Sequence, residues 1–374
     1  MYRVKILLLV LCSVVLSTIS ALERSETFST ISAAPPLIFN GDTLPKNTDF
    51  KKSQCGTLKT SATISEVSGI ACSRLTPGYI WMESDDYRNV IATDEKGKTR
   101  YMKLLFRGLP DRWDWEDMCG GVYEGVNYLF VGAFGDNNET TGNYYIVYFE
   151  EPEVTSSQTY IVDASYIHFA YPDGKKHNAE ALMYDNREQM LYVITKVYYD
   201  VCQVFSLPMS HDYGEEEQTL TYICDLGLKS DLGSDGMHGF HLVTAADISP
   251  DGRYILIKNH NNNIASYSYV LLWQREADES VSEALMRQPE QIGCYSYEWQ
   301  GEAMCWLDST TFYTTSDEDS GDPPIFKYVK TPPSAVEEVE ALEDDNARIK
   351  LLFHKGNLYI RKNNRLYSLD GREV

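Results

Sequence analysis

Three short words, DWEDM at 114–118, NAEAL at 178–182 and QGEAM at 300–304, each set a glutamate two residues ahead of a large apolar side chain. Two weaker copies, VSGIA at 67–71 and AADIS at 245–249, extend the series and place Ile70, Met118, Leu182, Ile248 and Met304 in one column. The intervals of 48, 64, 66 and 56 residues are uneven but of the size of a repeated sheet unit.

The residues after each word repeat better than the word itself. A turn comes first (TPG, YEGVN, DNREQ, SPDGR, LDST), then an aromatic and β-branched run: YIWMES, YLFVGAF, MLYVITK, RYILIKN and TFYTTSD. A third strand reads NVIATD, YYIVYF, CQVFSL, SYVLLW and IFKYV. A fourth precedes the next word, as in RYMKLLF, TYIVDASYIHFAY, LTYICDL and CYSYEW, with GTLKTSATI in that role before the first copy. Helical periodicity is confined to 275–287, READESVSEALMR.

Four antiparallel strands repeated five times predict an all-β chain folded as a β-propeller of five clear four-stranded blades, because radial packing hides the sheet edges of each unit. The last segment, IKLLFHKGNLYIRKNNRLYSLDGREV, is also strand, turn, strand, turn, strand, and either completes a sixth blade or forms a separate tail. The expected division is a signal peptide over 1–21, an N-terminal extension over 22–52, the propeller over 53–330, an acidic linker over 331–346 and the C-terminal strands over 347–374.

The opening MYRVKILLLVLCSVVLSTISA has a basic start, an apolar run and a small residue at Ala21, the layout of a cleaved secretory signal. Leu11 before Cys12 does not suit lipid attachment, and no later stretch is apolar for long enough to cross a bilayer. Export to the periplasm, the cell surface or the medium is expected. The formal charge of −22 grows by two once Arg3 and Lys5 leave, which repels phosphate backbones and anionic lipid, so a nucleic-acid partner and a stable membrane span are not expected. Seven cysteines remain, Cys55, Cys72, Cys119, Cys202, Cys224, Cys294 and Cys305. None has zinc spacing, and a bridge between Cys202 and Cys224 on neighbouring outer strands fits an oxidising compartment.

In a blade the first strand runs along the central channel and the second returns antiparallel, so the start of one and the end of the other share a face. The starts gather Ser68, Glu116, Asp117, Glu180, Asp247 and Glu302, and the ends add Asp85, Asp136, Lys196, Lys258, Asn259 and Asp317. Loops toward this rim supply Trp113, Tyr171, His177, His238, His241 and Trp299. The candidate ligand-binding residues are therefore Glu116, Asp117, Glu180, Glu302, Lys196, Lys258, Asp247 and Trp113. Clustered carboxylates need a cation, a lysine or a raised pKa to coexist. Calcium, with Glu116, Glu180, Glu302 and Asp136 as ligands, is one expectation; carboxylates that accept backbone N–H bonds and lock blades together are the other. Asp117 and Asp247 share a column with Gly69, Ala181 and Ala303, which favours structural and functional roles equally. No G-x-S-x-G elbow, phosphate loop or H-E-x-x-H is present, and no catalytic residue stands out.

With DWEDM followed by LFVGAFGDN, NAEALM by LYVITK, ADISPDGRYILIK, and QGEAM by FYTTSDE, the chain resembles a widespread group of exported bacterial propellers over roughly residues 60–330. Its words are similar to those of proteins labelled esterase-like or phytase-like. The resemblance implies calcium at acidic rim residues and hydrolysis of phosphate esters, with Glu116, Glu180, Glu302 and Asp136 as the positions able to carry that role. Many such proteins read GDIGDN where Ala133-Phe134-Gly135-Asp136-Asn137 stands here. The ending GNLYIRKNNRLYSLDGREV is similar to short β tails of exported Bacteroidetes proteins.

Two functional classes stay open: a monomeric propeller that binds a small molecule, a glycan or a protein at its acidic rim, and a hydrolase of an ester, phosphate ester or glycoside that uses the same carboxylates.

Overall fold

The computed structural model describes residues 38–58, 66–84, 87–98, 102–109, 114–155, 159–197, 201–229, 241–261, 268–292, 298, 300–316, 322–331, 337–339, 349–354, 357–362 and 365–368. The signal segment, Asp85, Trp113, His238, Cys294, Trp299 and Asp317 lie outside the described residues.

Among the described residues four strands precede the first repeat: β1 (Ile38–Phe39), β2 (Asp42–Thr43), β3 (Lys46–Asn47) and β4 (Phe50–Thr57). Blade one is β5 (Val67–Cys72), β6 (Tyr79–Ser84), β7 (Tyr87–Asp94) and β8 (Met102–Arg107). Blade two begins with β9 (Asp117–Tyr123), β10 (Val126–Ala133) and β11 (Tyr144–Glu150). The segment read as its one fourth strand is two: β12 (Thr159–Asp163) turns back to lie parallel to β8, and β13 (Ser165–Ala170) completes blade two. Blade three is β14 (Ala179–Asp185), β15 (Met190–Thr195), β16 (Val201–Pro208) and, after the short β17 (Gln218–Thr219) beside β13, β18 (Thr221–Lys229).

Blade four is β19 (His241–Ile248), β20 (Tyr254–Asn261), β21 (Ser268–Gln274) and β22 (Glu290–Ile292). The helix expected within 275–287 is α1 (Val281–Leu285), started by a capping box in which Ser280 and Glu283 satisfy each other's backbone N–H groups. Among the described residues blade five has β23 (Met304–Asp308), β24 (Thr311–Thr314) and β25 (Pro324–Lys330) of its own.

The N-terminal arm supplies the missing strand. β4 pairs antiparallel with β25 along its length, Pro324 opposite Thr57 and Lys330 opposite Phe50, so a strand from the N-terminal arm finishes the last blade. The fourth strand expected at GTLKTSATI thus starts earlier, at Phe50. Residues 38–52 are also part of the propeller sheets: β1 and β2 extend blade three and β3 lies beside β22 of blade four. The inner strands β5, β9, β14, β19 and β23 touch in that cyclic order, and β23 returns to β5. Five blades close the circle, and no sixth is shown. The C-terminal strands β26 (Glu337–Val339), β27 (Ile349–His354), β28 (Asn357–Lys362) and β29 (Arg365–Ser368) form a separate antiparallel sheet, none of them paired with a blade.

Inner strands are buried on both faces, as in β5 and β14, whereas the outermost β12 alternates with solvent. The core is a set of slabs between neighbouring blades, filled by the aromatic excess: Phe130 stacks on Tyr184 across blades two and three at 4.8 Å, and Phe312 on Tyr328 within blade five at 4.4 Å. Among the described residues no helix is long and apolar enough to cross a membrane.

Candidate functional site

The glutamate of NAEAL sits where the first hairpin of its blade is irregular. In blade three Ala179 pairs with Thr195 and Ala181 with Ile194, which leaves Glu180 as a one-residue bulge. Blade one repeats this around Ser68, and blade four around Thr244. In blades two and five Glu116 and Glu302 occupy the same step, just before Asp117 opposite Gly132 and Ala303 bonded to Thr315. A bulge re-aims a side chain out of the pleat.

This register corrects the fourth copy. Ala246 pairs with Ile257 as Met118 pairs with Val131 and Leu182 with Val193, so Ala246, not Ile248, belongs in the apolar column. The fourth word is VTAAD, with Thr244 in the glutamate position and Asp247 two steps deeper than expected. On the second strand the counterpart of Lys196 is then His260, not Lys258.

The rim glutamates converge around Lys196. Its Nζ is ion-paired with Glu180 Oε2, and Glu302 and Glu116 add further negative charge. Burial opposes the Lys196 ammonium, but these three carboxylates outweigh it and hold its pKa above the ordinary lysine value. Asn178 donates to Glu180 Oε1 at 3.2 Å and accepts the amide of Asp136 at 2.7 Å, fixing that carboxylate against the next loop. Glu116 is packed over Gly135, where an added Cβ would overlap its Oε1. Burial, and then the charges of Glu180 and Asp114, push the Glu116 carboxyl well above its usual range. His260 places Nδ1 3.7 Å from Glu302 Oε1. Burial and the ammonium groups of Lys196 and Lys258 hold this imidazole neutral, with a pKa pulled down to about 3.

The other candidates have different positions. Lys258 is fully buried beneath the rim, with Nζ 2.8 Å from Glu298 Oε2 and 2.9 Å from the carbonyl of Thr315. Burial works against the Glu298 charge, but Lys258 and Lys52 overcome it and bring its pKa to about 2. This buried network ties blade four to blade five and to β4. Asp117 crosses the hub: its Oδ2 accepts the amides of Leu182 at 2.8 Å and Ala246 at 3.1 Å, from blades three and four. Asp247 Oδ2 accepts the amide of Trp306 in blade five at 2.7 Å. Both aspartates therefore lock inner strands together below the mouth.

Asp136 also has its oxygens occupied. The amides of Thr140, Thr141 and Gly142 and the Tyr144 hydroxyl donate to it, and together they outweigh burial and lower its pKa. Of the expected calcium ligands, Asp136 is held by backbone amides and the Tyr144 hydroxyl, Glu180 is ion-paired with Lys196 and Glu116 is packed over Gly135. Among the described residues no three His, Cys, Asp or Glu side chains are grouped so as to hold a metal ion. Cys202 and Cys224 do lie on adjacent strands, but Cys224 is opposite Val204 and no disulfide joins the two.

Three residues of the site escaped the sequence reading. His260 was hidden by the two-residue misregister of its blade. Asn178 stands directly before the word NAEAL and was legible only as a loop end. Glu298 was part of an expected fourth strand, CYSYEW, the rest of which lies outside the described residues; the described fourth strand is β22 at 290–292.

No protein-family model matches the chain, and no curated protein does. Solved structures similar to it include an α-L-arabinofuranosidase from Podospora anserina, 8% identical with a TM-score of 0.44, over 78% of this chain and 99% of that one. A gluconolactonase from Xanthomonas campestris is 11% identical with a TM-score of 0.38, over 80% and 99%. The β-propeller domain of Cps50 (Swd1) from Myceliophteria thermophila is 12% identical with a TM-score of 0.33, over 79% and 97%. At these distances none of them assigns an activity, and the class of the protein rests on its own topology: a five-bladed propeller with an acidic mouth.

Proposed function

We propose that the protein binds an uncharged, hydroxyl-rich ligand of carbohydrate type at the mouth of the propeller. The observation that carries this reading is the convergence of Glu116, Glu180 and Glu302, from three different blades, on Lys196. Such a group offers carboxylate acceptors, one ammonium donor and a neutral imidazole, which together suit hydroxyl groups. A phosphate-bearing ligand is disfavoured, because three glutamates and a formal charge of −22 repel it. Export of the protein belongs to this proposal, since it would place the mouth in contact with external glycans.

A hydrolytic reading has its own support. Burial raises the pKa of Glu116, whereas Glu180 is a carboxylate paired with an ammonium, and acid catalysis of glycoside or ester cleavage needs a donor and an acceptor in such different environments.

Calorimetric titration of the purified protein with a panel of oligosaccharides and sugar lactones tests both readings, with calcium and EDTA as further arms. Binding by wild type, weakened at least about tenfold in Glu180→Gln, supports the ligand site. Turnover lost in Glu116→Gln with binding kept supports the hydrolase. Equal binding by wild type and Glu180→Gln refutes the proposed mouth, and a melting temperature raised by calcium and lowered by EDTA would reinstate a metal.

A further inference from the structure

We propose that Cys72 and Cys305 form a disulfide that seals the joint between the last blade and the first. Cys72 ends β5, the inner strand of blade one, and Cys305 is the second residue of β23, the inner strand of blade five. Their Sγ atoms lie 3.3 Å apart as thiols although 233 residues separate them in the chain.

The position is one the fold uses for interblade links. In the corrected register Cys305 occupies the step after the apolar column in blade five, which is the step of Asp247 in blade four. Cys72 occupies the step of Trp306. At the joint between blades four and five, Asp247 accepts the amide of Trp306; at the joint between blades five and one, the same pair of steps holds two sulfurs. This second joint is the one the chain does not make in sequence order, and it depends on β4 and on the slab of Leu58, Ile70, Met82, Cys305, Tyr313 and Ile325. A covalent link there constrains the unfolded chain across nearly the whole propeller.

The chemistry is two successive exchanges with a small-molecule or protein disulfide as the oxidant. The Cys72 thiolate attacks one sulfur of the oxidant, breaks its S–S bond and releases the first thiolate. The Cys305 thiolate then attacks the Cys72 sulfur, forms the Cys72–Cys305 bond and releases the second. The two cysteines lose two protons and two electrons, and the oxidant leaves as two thiols. The first exchange precedes closure of the ring, because in the closed propeller Cys72 and Cys305 are buried and burial pushes the Cys305 thiol well above its ordinary value.

The full chain is unfolded, reduced, refolded with oxidised glutathione and then alkylated under denaturing conditions before peptide mass spectrometry. The expected result is a Cys72–Cys305 cross-linked peptide, absent from Cys72→Ala and Cys305→Ala, and a melting temperature that reductant lowers by about 5 °C in wild type but not in either variant. If a variant does not refold, the comparison of oxidised and reduced wild type gives the same readout. Full alkylation of both cysteines after oxidative refolding, or a cross-link of either one to Cys119, overturns the assignment.

Discussion

The ammonium of Lys258 lies 2.8 Å from Glu298 Oε2 in the joint between blades four and five, and neither side chain is appreciably exposed. Glu298 also holds Lys52 of β4 and accepts the Tyr328 hydroxyl at 3.2 Å. Removing one member of a buried pair strands the other charge, at a cost of about 3–5 kcal/mol. Lys258→Met should lower the unfolding free energy by that amount in urea denaturation, and the double variant Lys258→Met, Glu298→Gln should recover part of it. Equal stability of wild type and Lys258→Met would show that the charge is not needed there.

Asp247 links blades four and five in a site where burial lifts its pKa from 3.8 to about 7, against the opposing amide of Trp306. Between those two values the unfolded chain has lost the proton and the folded one has kept it, so stability falls as pH rises, by up to about 1.4 kcal/mol per unit. Asp247→Asn carries no such penalty. The urea midpoint of wild type relative to Asp247→Asn should decline from pH 4 to pH 7 and then level off.

His260 acts in the opposite sense. Its folded pKa of about 3 lies below the ordinary 6.5, so below pH 6.5 the unfolded chain takes up a proton that the folded mouth excludes. The stability of wild type relative to His260→Gln should therefore drop as pH falls from 6.5 toward 4. Parallel curves for the two proteins over that range would mean that the imidazole is not held neutral.

Gly135→Ala tests the packing of the mouth. The new methyl would overlap Glu116 Oε1 and come within 2.8 Å of Asp114 Cγ, so the carboxylates must move. Binding of the carbohydrate-type ligand should weaken by about tenfold while the melting temperature drops by only a few degrees. Unchanged affinity would separate Glu116 from the ligand site.

Truncation distinguishes the two ends of the chain. Loss of residues 1–57 removes the outer strand of blade five and Lys52, and should abolish cooperative thermal unfolding measured by circular dichroism. Loss of residues 332–374 removes a sheet that pairs with no blade, and should leave the propeller transition within a few degrees of wild type.

Much of this fold was legible because the strand signal is local. YIWMES, MLYVITK and SYVLLW carry enough β-branched and aromatic residues to be strands in any context, and β6, β15 and β21 match them closely. The bulges were not legible, since a single extra residue leaves no mark in composition. Without them the fourth copy was aligned aspartate to aspartate, which placed Asp247 on the rim and overlooked His260. Lys196 and Lys258 looked equivalent for the same reason, yet one lies among the rim glutamates and the other is buried beneath them.

The amino-acid sequence alone determined the repeat, the strands and the acidic words, because alternation, turn residues and spacing act over a few neighbouring residues. Only the tertiary structure decided how the circle closes and which charges meet. Ring closure pairs Phe50–Thr57 with Pro324–Lys330, and the neighbours of a buried carboxylate come from other blades. Those contacts set how the pKa of Glu116 is raised, whether Lys196 stays charged, and whether Asp117 faces a ligand or the backbone of the next blade.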